Sequence, residues 1–519
     1  MLSTIYSAGL SGIDGFIVSV ECNSQKKVAS FELVGLPDTA VKEAKERVHT
    51  ACDNCGVRFP ALSHMVNLAP ADRRKEGSGF DAAILLGILR NVGVVHSERD
   101  LSRSCFIGEL SLSGDLKPVR GVLSMCSAAK NAGFEEIFVP VDNAEEAAAI
   151  EGIRVYGTPS MQLLIRHLNG EHFLAQTQNK TYSGELPTLP VDFCEIQGQK
   201  FAKRAMEIAA AGGHNVILIG PPGTGKSMIA KRLPTILPPL TFAEAVETTK
   251  IHSVAGTLAE NGAGLMKLRP FRSPHHTMSA VSLVGGGRSP VPGEVSLAHG
   301  GVLFLDELPE FPKQITDTLR QPLEDGKVTI TRVSGRVTYP CSFMMVAAMN
   351  PCRCGYYGHP TKKCTCNPLD VKRYVSKISG PLLDRIDIQV EMSSLSYEEM
   401  ATKDTAAESS ADIRARVVKA REIARARIAN DPEAQGSEGV FCNAQLTPAM
   451  IRRYCTLTPS ATSFLANAYD KMGLSARGYD RILRVARTIA DLDESTDINQ
   501  IHIAEALQLR SLDKKYWGN

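Results

Sequence analysis

Gly220-Pro221-Pro222-Gly223-Thr224-Gly225-Lys226-Ser227 decides the fold, and it follows the apolar run Val216-Ile217-Leu218-Ile219. An apolar run ending in a glycine-rich turn reads as a buried strand entering a phosphate-binding loop. The glycines let backbone N–H groups turn inward around anionic oxygens, Lys226 reaches the outer phosphates, and the Ser227 hydroxyl can ligate Mg2+. Downstream, Val302-Leu303-Phe304-Leu305-Asp306-Glu307 is a second buried strand, ending in two carboxylates. Asp306 would hold Mg2+ through water, and Glu307 would polarise the attacking water. Either motif alone can arise by chance. The two in this order point to nucleotide hydrolysis on an α/β core.

The chain has 519 residues, enough for about two to four domains. It is 43% hydrophobic and 6% aromatic with a single tryptophan, the profile of a globular α/β protein. A net charge of +2 excludes a broad basic coat, so any contact with a polyanion must be local. No apolar run approaches roughly 18 residues, so no membrane span is expected. The N-terminal residues lack the pattern of a secretory signal. Most of the thirteen cysteines are scattered among apolar residues, as in reduced cytoplasmic proteins.

Residues 1–170 alternate short strands, such as Phe16–Val20 and Phe31–Leu33, with helices. Asp38 is expected to cap a helix whose apolar face is Ala40, Val41, Ala44, Val48 and Ala51. Residues 171–190 are polar and aperiodic and read as a linker. The block 191–395 holds both nucleotide motifs. From 396 to 519 the pattern becomes helical, with Ile482, Leu483, Val485, Ala486, Ile489 and Ala490 on one apolar side. Segment 411–430 has six basic residues against two acidic ones around an apolar stripe. It reads as a solvated amphipathic helix or, alternatively, as a basic face for nucleic acid.

Cys352-Arg-Cys354 and Cys364-Thr-Cys366 are separated by nine residues containing Gly355, Gly358, His359 and Pro360. Two close thiolate pairs joined by a Gly/Pro loop can reach the corners of a tetrahedron around Zn2+, with His359 as a substitute ligand. Cys52 and Cys55 form a lone pair on a helix and read as structural or incidental.

Further motifs lie in the central block. Lys313 to Glu324 reads as one helix. Val328–Arg332 and Val337–Tyr339 alternate around Val333-Ser-Gly-Arg336, the pattern of a β-hairpin. Phe343–Asn350 is a buried strand ending in a polar residue, and Ser379-Gly-Pro-Leu-Leu-Asp-Arg385 follows the cysteines. In this order the motifs resemble AAA+ ATPases of the magnesium-chelatase-like group, which share a pre-sensor hairpin with replicative helicases. The resemblance implies ATP as the nucleotide, Asn350 as the sensor that orients the attacking water, and Arg385 as a finger supplied to a neighbour's ATP. It implies a second sensor at Arg477 or Arg481, with Arg477 favoured for the phosphate. The interval of 80 residues between Lys226 and Asp306 is long. Its excess, around Phe271–His276 and Gly285-Gly-Gly-Arg288, resembles that group's insert in its second helix.

The whole chain resembles the bacterial ComM/YifB-type family. The resemblance implies an N-terminal Lon-protease-like α+β domain (S5 domain 2-like), an AAA+ P-loop core with a zinc-binding insertion at 352–366, and a C-terminal helical lid. Aligned on Lys75-Glu-Gly-Ser-Gly-Phe-Asp81, the position of a Lon nucleophile falls on Gly79, with Ser78 one place early. The position of the partner lysine falls on Leu123. A Ser–Lys dyad needs both groups within hydrogen-bond reach, so peptidase activity is not expected.

Three functions compete. The resemblance implies a hexameric, ATP-driven DNA helicase that promotes branch migration during homologous recombination and natural transformation. Arg332 and Arg336 at the hairpin tip, and Arg288 in the insert, are then candidate contacts to the phosphates of single-stranded, duplex or branched DNA without sequence readout. The bland alternative for the arginines is a solvated turn. A magnesium-chelatase-like remodelling ATPase acting on a protein or a porphyrin-metallation partner is the second function. An ATP-dependent protease, disfavoured by the missing dyad, is the third.

Overall fold

The computed structural model describes residues 2–517, other than 98, 180–181, 183, 185, 188, 259–263, 288–289, 333–334, 360, 396–406 and 432–441. Arg288 therefore lies outside the described residues, as do Val333 and Ser334 at the hairpin tip.

The N-terminal unit is built on an eight-stranded mixed sheet. Its order is Gln176–Thr177, Arg154–Thr158, Glu136–Pro140, Ser104–Phe106, Leu2–Ser11, Asp14–Gln25, Ser63–Ala69 and Ser30–Val34. Strand Asp14–Gln25 alternates, with Phe16, Val18, Val20 and Cys22 in the core under helices Thr39–Asn54 and Asp81–Asn91, while Gly15 and Ile17 on the other face meet helix Val122–Asn131. Helix Thr39–Asn54 starts where Asp38 accepts from Val41 N at 2.8 Å and buries Val41, Ala44, Val48 and Ala51. Gln176–Thr177, inside the stretch read as a linker, adds an edge strand to this sheet.

The central sheet has five strands in the order Phe271–Arg272, Val302–Leu305, Met344–Met349, Val216–Ile219 and Ile388–Glu391. Every adjacent pair is parallel. The inner strands are buried on both faces, which is why they read as continuous apolar runs. Val216 and Leu218 face a core shared with helices Lys200–Gly212 and Ala476–Leu492. Ile217 and Ile219 face a second core that reaches the hairpin and the four clustered cysteines.

Two expectations change. Lys313 to Glu324 is two short helices, Lys313–Thr318 and Arg320–Asp325. Pro322 lacks an N–H for the carbonyl four residues back, at Thr318, and the helix breaks there. The basic helix, Ser410–Ala429, is not the freely solvated face that its sequence suggests. Its cations are engaged by the protein: Arg414 by Thr235 O, Arg416 by Glu207 and Glu408, Lys419 by Glu494, Arg421 by Ala210 O, Arg425 by Glu244 and Arg427 by Asp491. The helix fastens the C-terminal helices to the sheet.

Among the described residues, two places where the N-terminal unit packs on the central one stand out. Gly121 N donates to Ser253 Oγ at 3.0 Å, and the Ser253 hydroxyl donates to the buried Glu146. Burial pushes the Glu146 carboxyl up, against hydrogen bonds from Ser253, Leu123 N and Asn143. At the second place, Ile13 in the turn between the first two strands packs into the core under the hairpin. A Cβ on neighbouring Gly12 would stand 2.6 Å from Val337 Cγ1.

Candidate functional site

In a parallel α/β sheet, the loops after the C-terminal strand ends form the binding edge. The register places the motifs there together. Ile219 is opposite Met349, and Leu305 is opposite Ala347, so Gly220, Asp306 and Asn350 leave the sheet side by side. Gly223 (φ +80°) and Gly225 (φ +88°) take left-handed conformations that turn the loop into the first turn of helix Lys226–Ile236.

The side chains converge. Lys226 Nζ donates to Gly220 O at 2.7 Å, Pro221 O at 2.8 Å and Asn350 Oδ1 at 3.1 Å. Burial pushes its pKa down to about 8, against the pull of Asp306 and Glu307. Ser227 Oγ donates to Asp306 Oδ2 at 2.7 Å, so a hydroxyl and a carboxylate oxygen share the place where Mg2+ would be held. Glu307 N donates to Asp306 Oδ1 at 3.0 Å. Its backbone is left-handed (φ +53°, ψ +47°), which turns the carboxylate out of the strand end. Pro221, Pro222 and Thr224 complete the loop, with Thr224 Oγ1 donating to Pro221 O at 3.0 Å.

One neighbour of Glu307 was missed from sequence. His276 Nδ1 lies 3.8 Å from Glu307 Oε2, and its ring packs edge-on to Phe311. The available signal was its position just after Phe271–Arg272, which adds to the same sheet edge.

Three candidate arginines lie elsewhere. Arg385 precedes strand Ile388–Glu391, whereas the phosphate loop follows its parallel neighbour Val216–Ile219. Arg385 is thus at the opposite end of the sheet from Lys226. There it donates to Pro381 O at 2.6 Å and pairs with Glu324. Arg481 is buried and lies 3.7 Å from Asp384, beside Arg385, while Arg477, one turn earlier on the helix, is exposed.

The hairpin forms as Lys327–Arg332 and Gly335–Pro340, with Thr331 opposite Arg336 and Arg332 opposite Gly335. Both arginines are exposed. The alternation of strand side chains sends them to opposite faces of the ribbon. Arg332 leans on the two-stranded insert Gly285–Gly286 and Val291–Pro292: a Cβ on Gly286 would meet Arg332 Nη2 at 3.1 Å. Tyr339 OH donates to Pro290 O at 2.7 Å. The hairpin and the insert are therefore neighbours.

Sγ atoms of Cys352, Cys354, Cys364 and Cys366 all lie within 4.8 Å of one another. Three of the separations are 3.4, 3.5 and 3.7 Å. Four sulfurs around one zinc stand about 3.8 Å apart, so the cluster fits a tetrahedral ion. Within the cluster, backbone N–H groups of Tyr356 and Thr365 hold the Cys354 thiol below its ordinary value against burial, while the Cys352, Cys364 and Cys366 thiols are raised. His359 is not part of the cluster. Its Nδ1 accepts from Lys362 N at 2.9 Å, and its Nε2 lies 3.0 Å from Ser394 Oγ. Cys52 and Cys55 are buried thiols with raised pKa values, as expected of structural cysteines.

In the N-terminal unit, Gly79 faces Val119, Ser78 Oγ donates to Glu109, and Leu123 is fully buried. Lys75 is also buried and donates to Pro70 O and Arg73 O.

A five-stranded parallel sheet with a phosphate loop, a strand-end carboxylate pair and an adjoining polar strand end defines a P-loop core of the AAA+ kind. Family models described as subunit ChlI of Mg-chelatase, as magnesium chelatase subunit ChlI, and as the ChlI C-terminal region match residues 20–143, 192–400 and 407–510. The chain is 40% identical over 519 residues to competence protein ComM of Haemophilus influenzae, covering 98% of both chains. It is 39% identical over 513 residues to protein YifB of Escherichia coli K12, covering 99% of this chain and 98% of that one. Likeness to Lon protease 2 of Bacillus subtilis is partial, 28% over 151 residues and 27% of this chain. The chain belongs to the magnesium-chelatase-like ComM/YifB-type family of AAA+ proteins, which implies ATP and Mg2+ as ligands. Among the described residues no helix is long and apolar enough to cross a membrane.

Proposed function

We propose that this protein is an ATP-driven DNA motor, a homo-hexameric helicase that promotes branch migration during recombination. The observation that carries the reading is the hairpin. It runs from the helices behind Asp306 and Glu307 into the strand ending at Asn350, and it presents Arg332 beside the insert and Arg336 on the opposite face. An element joined at both ends to the hydrolysis site and tipped with cations can pass strain between phosphate chemistry and a polyanion. The competence protein among the relatives supports nucleic acid as that polyanion.

Within the nucleotide site, Lys226 leaves the carbonyls of Gly220 and Pro221 for the outer phosphates. Ser227 and Asp306 would hold Mg2+, which supplies charge neutralisation on the phosphate oxygens. Glu307 accepts a proton from the attacking water, and Asn350 orients it. The finger, Arg385, comes from the adjacent subunit, with Arg477 and Arg481 on the same side of the chain as further contacts. The four cysteines would hold structural Zn2+.

The family description supports a second reading, a chelatase-like ATPase that remodels a protein or porphyrin-metallation partner. ATP turnover measured with and without single-stranded, duplex and forked DNA separates the two. Stimulation by DNA is expected. Turnover indifferent to every DNA form would overturn the motor reading.

A further inference from the structure

The cysteine knuckle begins two residues after Asn350, and its first turn lies against the phosphate loop. Gly355 is buried, left-handed (φ +86°), and presents bare backbone to the ring of Pro222. A Cβ on Gly355 would stand 2.6 Å from Pro222 Cδ and 2.8 Å from Cγ, closer than side chains pack. Gly355 N donates to Cys352 O at 3.0 Å, so the turn that supports Pro222 is the one that brings Cys352 and Cys354 together. A second flank reaches the same loop. His359 Nε2 lies 3.0 Å from Ser394 Oγ, and the adjoining Ser393 O accepts from Gln199 Nε2 at 2.7 Å. Gln199 Nε2 also lies 3.5 Å from Thr224 O. The hydrolysis site and the cysteine cluster are thus two ends of one packed unit.

We propose that the knuckle positions the phosphate loop: an ion held by Cys352, Cys354, Cys364 and Cys366 fixes Gly355 as a backstop for Pro222, and metal and ATP stabilise each other's binding. The inference rests on the nucleotide-site reading. The cysteines touch no reacting atom; they act through Pro222 and the strand end at Asn350. The Thr365 N–H on Cys354 and the thiol contacts already join the 352–354 and 364–366 turns; an ion bonded to all four sulfurs would lock them and fix the surface that Gly355 presents to Pro222. Coupling between two ligands is reciprocal. Loaded protein should bind ATP more tightly, and ATP should raise the affinity for the ion by the same factor.

The test uses the full-length protein with zinc. Affinity for a fluorescent ATP analogue is measured before and after chelation, with circular dichroism to check folding. Zinc affinity is measured by equilibrium competition against a chromogenic chelator, with and without a non-hydrolysable ATP analogue and Mg2+. A change of about five-fold or more is expected in each direction. Pro222→Ala keeps all four ligands and should keep the zinc content while bringing both factors towards one, which a merely structural ion would not do. Folded, metal-free protein that binds ATP as tightly as loaded protein would overturn the inference, as would full coupling in Pro222→Ala or purified protein that carries no metal. Should chelation unfold the chain, the competition on loaded protein decides. Loaded wild type that binds no ATP at all instead removes the nucleotide-site reading, a result distinct from ATP binding that ignores the metal.

Discussion

Glu307 occupies a backbone conformation that costs a non-glycine residue about 1–3 kcal/mol and persists where the surroundings over-determine it. Here the surroundings are Asp306 Oδ1, which takes the Glu307 N–H, and the buried strand behind. The strain aims a mostly exposed carboxylate at the edge where water would attack. Glu307→Gln keeps the shape and removes the base, so ATP should still bind while turnover falls by about 10²- to 10⁴-fold, measured as bound analogue against phosphate release. Lys226 gives a second prediction. Burial disfavours its ammonium and brings the pKa down to about 8, against the support of nearby carbonyls and carboxylates. Phosphates favour the charged form, so binding takes up a proton and ATP affinity should fall as pH rises through 8. Lys226→Arg, always charged, should flatten the profile between pH 7 and 9.5 even if its affinity is lower. An unchanged slope would place the titrating group elsewhere.

At the level of elements, the hairpin was legible because alternation and a Ser-Gly turn are local signals. The direction of its arginines was not legible. Register fixes it: Arg332 lies over Gly335 and leans on the insert, whereas Arg336 shares the other face with Thr331. Arg336→Ala should therefore weaken binding to DNA and flatten its salt dependence more than Arg332→Ala, with basal ATPase retained in both. Salt titrations of binding for the two variants decide this; equal losses would mean that both faces meet DNA. The phosphate loop and the carboxylate strand were readable for the same reason as the hairpin, since each lies within eight residues. What failed to show was long-range or too short to have a period. The partners of the basic helix, Glu207, Glu244 and Asp491, lie far away in sequence, so its cations looked free. Strand Gln176–Thr177 is two residues long and looked like linker. The break after Thr318, four residues before Pro322, was local and readable, but helical periodicity on both sides concealed it. His276 reaches Glu307 only because parallel strands end together.

At the scale of the whole molecule, the sheet separates the residues proposed to act together in hydrolysis. Lys226, Asp306, Glu307 and Asn350 lie at the C-terminal edge, while Arg385, Arg481 and Asp384 lie beyond the opposite one. Within one chain Arg385 cannot meet the γ-phosphate bound by Lys226 unless the sheet unfolds. Its present partner, Glu324, is itself mostly exposed, and an exposed ion pair is worth about 0–1 kcal/mol. A triphosphate on a neighbouring subunit, with more charge and several acceptor oxygens, can take the guanidinium from it. In the proposed hexamer the complete site would exist only between subunits, and a finger supplied in trans typically contributes about 10³-fold or more to turnover. Arg385→Ala alone should bind ATP and hydrolyse it at least about 10³-fold more slowly. Lys226→Ala alone should bind it poorly. Mixed, the two should regain part of the wild-type rate, because some interfaces then pair an intact loop with an intact finger. The regain should vary with mixing ratio and disappear on dilution below the assembly concentration. A mixture no faster than its components at every ratio and concentration, or a dilute monomer with full wild-type turnover, would show that the site is complete within one chain.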